Sequence, residues 1–467
     1  MGPYKTDIVA DYISTTAFDG LPRDVVHLAK TAILDSIGCA FGGVTAEFGQ
    51  YDLEIVKEMA GTPEATIIGD GTRVPAMHAA FVNTVLANVM DYDDTYLRAS
   101  SHPGAPIIQS ALALAEKSGA SGKALIAAVV TGYEVALRIG LAVRPSAERL
   151  RQGPITGWLV FGPAAAGANM LGFDADTARR VLGIAGRGLT GRARSPQGAD
   201  GLGENDPKTG RYKIGFALSS LLGVLSVLRA AKGYPSPRAI LDSSFWTALG
   251  SDRCVYDEIV NGLGSEYRLR EVGFKPYPSC RWLNPPVDAV RAVLQEHSLE
   301  TENIERVRVS AYKVLEGLGR IRRPMSMLEA EFSLPYAIAM ALLETPAGPR
   351  WYQPRHFQDP LVQRLEDLVE VETDPRADTL CFEEGRLICT VEITTRDGDT
   401  YSHYVAVPRG EPDNPMSDEE FAEKFMGLAE PVIGAERSRR LLGTLMELET
   451  VPNIHEATEL FGPVARQ

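Results

Sequence analysis

At 467 residues, with 45% hydrophobic and 23% charged side chains, the chain has the composition of an ordinary globular protein and exceeds the length at which single cores stop growing, so two domains are expected. A net charge of −14, relieved by no Lys/Arg-rich run, argues against nucleic acid or an anionic membrane as partner. Five scattered cysteines (Cys39, Cys254, Cys280, Cys381, Cys389) contain no C-x-x-C pair, which excludes a disulfide framework and a cysteine zinc site.

The opening MGPYKTDIVADYIS has no signal-peptide core, and apolar stretches such as GKALIAAVVTGYEVALRIGLAV carry charges, so a cytoplasmic location is expected. From residue 21 to about 260 the signals are helical. LPRDVVHLAKTAILDSIGCAFGG spaces its apolar residues by three and four, with a proline near the start and a Gly pair at the end. Further helices are predicted over Val74–Met90, Ile107–Ser118, Gly122–Val143, Gly162–Leu171, Asp176–Ala185 and Leu218–Lys232. No strand pattern interrupts them, so this part reads as all-α. One long Gly/polar loop, ARSPQGADGLGENDPKTGR, covers 193–211.

Beyond Pro276 the texture changes. IERVRVSAY alternates like a half-buried strand, and RLICTVEITT, the turn-like RDGD and YSHYVAV read as a hairpin. Helices VDAVRAVLQEH and SLPYAIAMALLE sit among them, and the tail from DEEFAEKFMGLAE onward is helical again. The expected fold is mainly α: a large all-helical domain built from both chain ends (1–267 and 411–467) with an inserted α+β lid domain (268–410). Such a lid suits a cleft between domains.

The stretch DYDDTYLRASSHPGAP, 91–106, concentrates three carboxylates, a threonine and a histidine just after an apolar helix. It is not a calcium loop, because Tyr96 stands at the obligatory glycine position and His102 at the bidentate glutamate position. It also lacks the second carboxylate and basic cluster of a diphosphate-binding aspartate motif, and no Gly-rich loop carries a GK[ST] signature. His102 precedes Pro103, Gly104 and a helix whose N-terminus could hold an anion, and imidazole suits proton transfer near neutral pH. GFKPYPSCRW, 273–282, fixes Lys275, Ser279 and Arg281 between prolines at the predicted domain border, where cations could close on a carboxylate. Tyr336, in SMLEAEFSLPYAIAMALLE, offers a phenolic donor, although an aromatic in such an apolar helix is more often core.

At these residues the chain resembles the MmgE/PrpD family, which includes 2-methylcitrate dehydratase, cis-aconitate decarboxylase and iminodisuccinate epimerase. LPRDVVHLAKTAILDSIGCAFGG, ATIIGDGTRVPAMHAAFVNTVLANVMDYDDT, HPGAPIIQSALALAE, GFKPYPSC, EAEFSLPYAIAMALL and PRGEPDNPMSDEEFAEKF carry the likeness across nearly the whole length. The resemblance implies a homodimer and an interdomain site that works without metal or organic cofactor. Carried over by motif, Asp91, Thr95, His102 and Lys275 would line it, with Tyr336 a weaker candidate. Two departures stand out. A family histidine is missing near Pro154–Thr156, and GRYKIGFA puts Lys213 where another histidine is usual and Gly210 at the usual lysine. Lys213 or Lys208 could restore the cation.

Chemistry of this family type forms a carbanion-like centre beside a carboxylate, which requires a base and cationic groups where charge develops. The expected function is a cofactor-independent lyase, first a hydro-lyase acting on a small hydroxy di- or tricarboxylate. Decarboxylation and epimerisation are alternatives, and a non-catalytic acid-binding protein is the alternative from another class. His102 and Asp91 would exchange protons, Thr95 and Ser279 would bind substrate, and Lys275 with Arg281 would clamp carboxylates.

Overall fold

The computed structural model describes residues 3–59, 61–150, 155–189 and 214–463. Its architecture is mainly α with a small sheet-containing part, in agreement with the expected fold class. One apolar core gathers buried side chains from Val9 to Phe274 and again from Met416 to Phe461. A second gathers those from Tyr277 to Val405. Beneath the acidic stretch lies a third, small cluster of Cys39, Ala46, Val89, Met90, Tyr92 and Leu428.

The predicted helices are present with shifted ends: Arg23–Gly43, Ala76–Asn88, Gly104–Ser118, Gly122–Ala142, Phe161–Met170, Ala175–Arg187 and Ile214–Ala231. The Gly104–Ser118 helix starts three residues before the predicted Ile107, because Pro106 falls in its first turn, where a missing N–H costs nothing. Two helices not among those expected, Lys5–Thr15 and Glu47–Met59, also lie on this side. The expectation of no strands here needs one correction. Ala65–Thr66 (β1) and Arg73–Val74 (β2) pair antiparallel, and two residues are too few to show a period-2 pattern.

Among the described residues, two helices are long and apolar enough to cross a membrane, Arg23–Gly43 and Gly122–Ala142. Both contribute extensively to the first core. The second also carries a buried ion pair, Glu134 with Arg138. Arg138 donates to the carbonyls of Asn261, Gly262 and Glu266, and Glu134 accepts the Leu269 N–H at 3.0 Å. This pair fixes the segment that runs into Lys275.

In the second core, strands Ile304–Ala311 (β3), Val369–Thr373 (β4), Cys389–Thr395 (β5) and Thr400–Val405 (β6) form one sheet in the order β4-β3-β5-β6. Only β3 and β4 are parallel. The β5–β6 turn spans residues 396–399, closed by Thr395 N–H to Asp399 O at 2.9 Å, with Gly398 at a φ of 90°. Helices Asn284–Glu296 and Leu334–Leu342 pack beside the sheet. The chain then returns through the Asp418–Ile433 helix, opened by a capping box of Ser417 and Glu420, to rejoin the first core.

Candidate active site

The Ala76–Asn88 helix ends just before the acidic stretch, and Asp91 reverses the chain at a φ of 51°, a left-handed conformation that Asp tolerates better than most residues. The three carboxylates that follow are all buried, and each has a different covering. Both oxygens of Asp93 accept from Asn88 Nδ2, at 2.9 and 3.1 Å. Asp94 accepts the Gly104 N–H at 2.8 Å and the Tyr133 hydroxyl at 2.7 Å. The first N–H of the Gly104–Ser118 helix is therefore used by the protein itself, where the sequence suggested an anion. Gly104 is required here, since a Cβ would lie 2.5 Å from Tyr133 Oη and 2.6 Å from Asp94 Oδ1.

Electrostatics divide the acids further. Burial and the neighbouring Asp93 push Asp94 up to about 8, with Tyr133 and Gly104 only partly opposing, so Asp94 is a neutral acid at pH 7. Burial works in the same direction on Asp93, but His102 and Lys275 outweigh it and hold its carboxyl below the ordinary value. Asp93 is a carboxylate and Asp94, next in sequence, is not.

The His102 imidazole lies between two acids, with Nε2 3.5 Å from Asp91 Oδ1 and Nδ1 3.2 Å from Asp93 Oδ1. Phe216 meets its ring edge-on, with centroids 5.4 Å apart. Lys275 enters from the junction of the two cores, between Phe274 of the first and Tyr277 of the second. Its ammonium donates to the Asp91 carbonyl at 2.6 Å and stands 3.3 Å from Asp91 Oδ1, fully buried. The backbone delivers it there: Gly273 and Thr95 exchange N–H···O bonds of 2.9 and 2.8 Å, and Phe274 N–H bonds Gly410 O at 2.8 Å.

Asp91, His102 and Lys275 thus meet, with Thr95 alongside. Thr95 is buried and its Oγ1 reaches Gly273 O at 3.5 Å. Ser279 is buried as well, accepting from Asn284 Nδ2 at 3.2 Å. Two candidates go elsewhere. Arg281, expected to clamp substrate, spends its guanidinium on Glu411, Asn284 Oδ1 and the Arg409 carbonyl, so it ties its own segment to the 409–411 turn. Tyr336 donates its hydroxyl to the Trp351 carbonyl and packs against Phe357 in the second core. Lys208, Lys213, Gly210 and Pro154 lie outside the described residues, while Ile155 and Thr156 are buried.

The sequence reading passed over four groups. Asp93 looked interchangeable with Asp94, and Asn88 looked like one more helix residue. Lys424 donates to the Tyr92 carbonyl at 2.8 Å and the Lys275 carbonyl at 3.0 Å, with Asp35 Oδ1 2.6 Å away. A signal for it existed: Phe421, Lys424, Phe425 and Leu428 share the buried face of one helix, so the lysine had to be buried with them. Tyr352 buries a hydroxyl that has no hydrogen-bond partner among the described residues. Burial, then Glu331, Tyr336 and Asp91, keep that phenol protonated. No sequence pattern marks it.

Asp91, Asp93 and His102 offer one ligand atom each within 4.8 Å of one another, a spacing a metal ion could use. The donor set does not suit one, because the Lys275 ammonium stands 3.3 Å from the same Asp91 oxygen and Asn88 occupies both oxygens of Asp93. The arrangement sets an imidazole with a carboxylate near each nitrogen and a cation beside one of them, groups of the kind that can exchange protons.

A mainly helical protein with a buried acid–imidazole–ammonium cluster where its two cores join is thereby defined. The MmgE/PrpD N-terminal domain matches residues 7–249 and the MmgE/PrpD C-terminal domain residues 277–449, and the chain belongs to this family. It is 25% identical to a cis-aconitate decarboxylase of Aspergillus terreus over 97% of this chain and 94% of the relative. It is 26% identical to the human cis-aconitate decarboxylase over 94% and 91%. A cis-aconitate decarboxylase-like protein of Aspergillus oryzae, oryM, is 24% identical over 94% and 93%.

Proposed function

We propose that this chain is a lyase acting on a small di- or tricarboxylic acid, with decarboxylation of a cis-aconitate-like acid as its reaction. The observation that carries the reading is the His102 imidazole held between Asp91 and Asp93, with Lys275 3.3 Å from Asp91. Full-length similarity to cis-aconitate decarboxylases supports the choice of reaction.

In decarboxylation, the bond from carbon to the departing carboxylate breaks, carbon dioxide leaves, and the electron pair stays on carbon. A proton from His102 or Lys275 then quenches that carbon. Lys275 also offsets negative charge as it spreads onto a neighbouring carboxylate. Dehydration of a hydroxy acid is the second reading, and the pairing of one imidazole with two carboxylates favours it. Elimination needs a base for the C–H proton and an acid for the leaving hydroxyl oxygen, which departs as water.

Proton NMR in deuterium oxide with cis-aconitate, citrate and 2-methylcitrate separates these outcomes. Loss of cis-aconitate with release of carbon dioxide and one deuteron gained at carbon supports decarboxylation. Conversion of a hydroxy acid to its alkene supports the second reading. Binding of these acids by calorimetry without turnover or deuterium exchange would overturn both and favour a binding protein.

A further inference from the structure

The buried ammonium of Lys424 plays no part in the reaction outlined above. A lysine ammonium has three protons. Two go to the carbonyls of Tyr92 and Lys275, at 2.8 and 3.0 Å, and Asp35 Oδ1 lies 2.6 Å from the ammonium nitrogen as its counter-ion. The group also stands 3.8 Å from the centroid of the Tyr92 ring, whose hydroxyl donates to the Pro276 carbonyl at 3.0 Å.

The two carbonyls are informative. That of Tyr92 lies between Asp91 and Asp93, the two acids that flank His102, and that of Lys275 belongs to the residue whose ammonium contacts Asp91. We propose that Lys424 is a positioning residue: a cation from the C-terminal segment, anchored by Asp35, that fixes the Asp91–Asp93 turn against the Lys275 segment by bonding one main-chain carbonyl of each. This rests on the reading of the Asp91–His102–Lys275 cluster as the reacting site. Burial opposes the charge on Lys424, but Asp35, Cys39 and Tyr92 more than offset it, so the clamp keeps its proton at neutral pH.

Removing the lysine alone leaves Asp35 buried without its cation, a change that can prevent folding. The test therefore uses the neutral pair Asp35→Asn/Lys424→Met, and Lys424→Arg, which keeps the charge but presents a planar fork in place of three diverging protons. Folding is checked by circular dichroism. The His102 imidazole is titrated by NMR, its resonance identified by its loss in His102→Gln, and kcat and KM are measured on the acid the wild type turns over. We expect both variants to fold, with kcat lower by about 10- to 100-fold, as for a displacement of roughly 1 Å between reacting groups, and KM changed far less. The His102 titration should move in both.

Folded variants with wild-type kcat and an unmoved His102 titration would overturn the proposal. If the wild type turns over none of the acids, the proposed function fails, while the His102 titration still decides the clamp.

Discussion

The acidic segment at 91–104 and the lysine segment at 273–281 meet at one site and are built in opposite ways. In the first, side chains lock side chains: Asn88 holds Asp93, and Tyr133 holds Asp94. In the second, the backbone is locked through Thr95, Gly273 and Gly410, and one long side chain reaches out. The first segment could not bury its charge alone. Its cations come from Lys275, 184 positions beyond Asp91, and from Lys424, 332 positions beyond Tyr92. Buried carboxylates survive only when paired or neutral, and this site uses both solutions within four residues.

Cutting the link between the segments should have the largest effect on stability. Lys275→Met leaves Asp91 buried without its nearest cation, and chemical denaturation should show a loss of about 3–5 kcal/mol. A loss under 1 kcal/mol would mean that Asp91 gives up its charge at little cost. Crowding the first segment comes next. Gly104→Ala drives a methyl against Tyr133 Oη and Asp94 Oδ1, and should cost about 1–3 kcal/mol despite the better helix propensity of alanine.

Asp94 sharpens the comparison through pH. Its folded-state value of about 8 is above the unfolded value near 4, so folding takes up a proton between these limits. Its stabilising contribution is complete below about pH 4, declines as pH rises toward 8, and then levels off. Asp94→Asn imitates the neutral acid and removes that proton uptake. The stability difference between wild type and variant should change by up to about 1.4 kcal/mol per pH unit from pH 5 to 7, to the disadvantage of wild type at the higher pH. Parallel stability curves would place Asp94 among ordinary ionised carboxylates.

The smallest effect concerns a residue that the sequence placed at the site. Tyr336→Phe removes one hydrogen bond to the Trp351 carbonyl and should cost about 0.5–1.5 kcal/mol in thermal melts, with turnover unchanged. A large loss of turnover in a folded variant would return Tyr336 to the site.

Much of this was legible in the sequence, for identifiable reasons. The change from helical spacing to alternation near Pro276 lies beside the junction of the two cores at Phe274 and Tyr277. The nearness of Asp91, His102 and Lys275 was implied by the family resemblance that the DYDDT, HPG and KPYPSC pieces carry. What stayed hidden depends on partners remote in sequence. Asp93 and Asp94 are the same residue type side by side, and His102 with Lys275 on one and Tyr133 on the other set them apart. Arg281 looked free because Glu411 is 130 positions away. Strand β4, VEVET, carries too many charges and too few residues to stand out, as edge strands often do.

The central claim is that His102, set between Asp91 and Asp93, moves the proton. The most direct measurement is kcat/KM of folded His102→Gln on the acid that the wild type converts, compared across pH. The account predicts a fall of about 10²- to 10⁴-fold with binding largely kept. A folded His102→Gln that turns over substrate within a few-fold of wild type would contradict it.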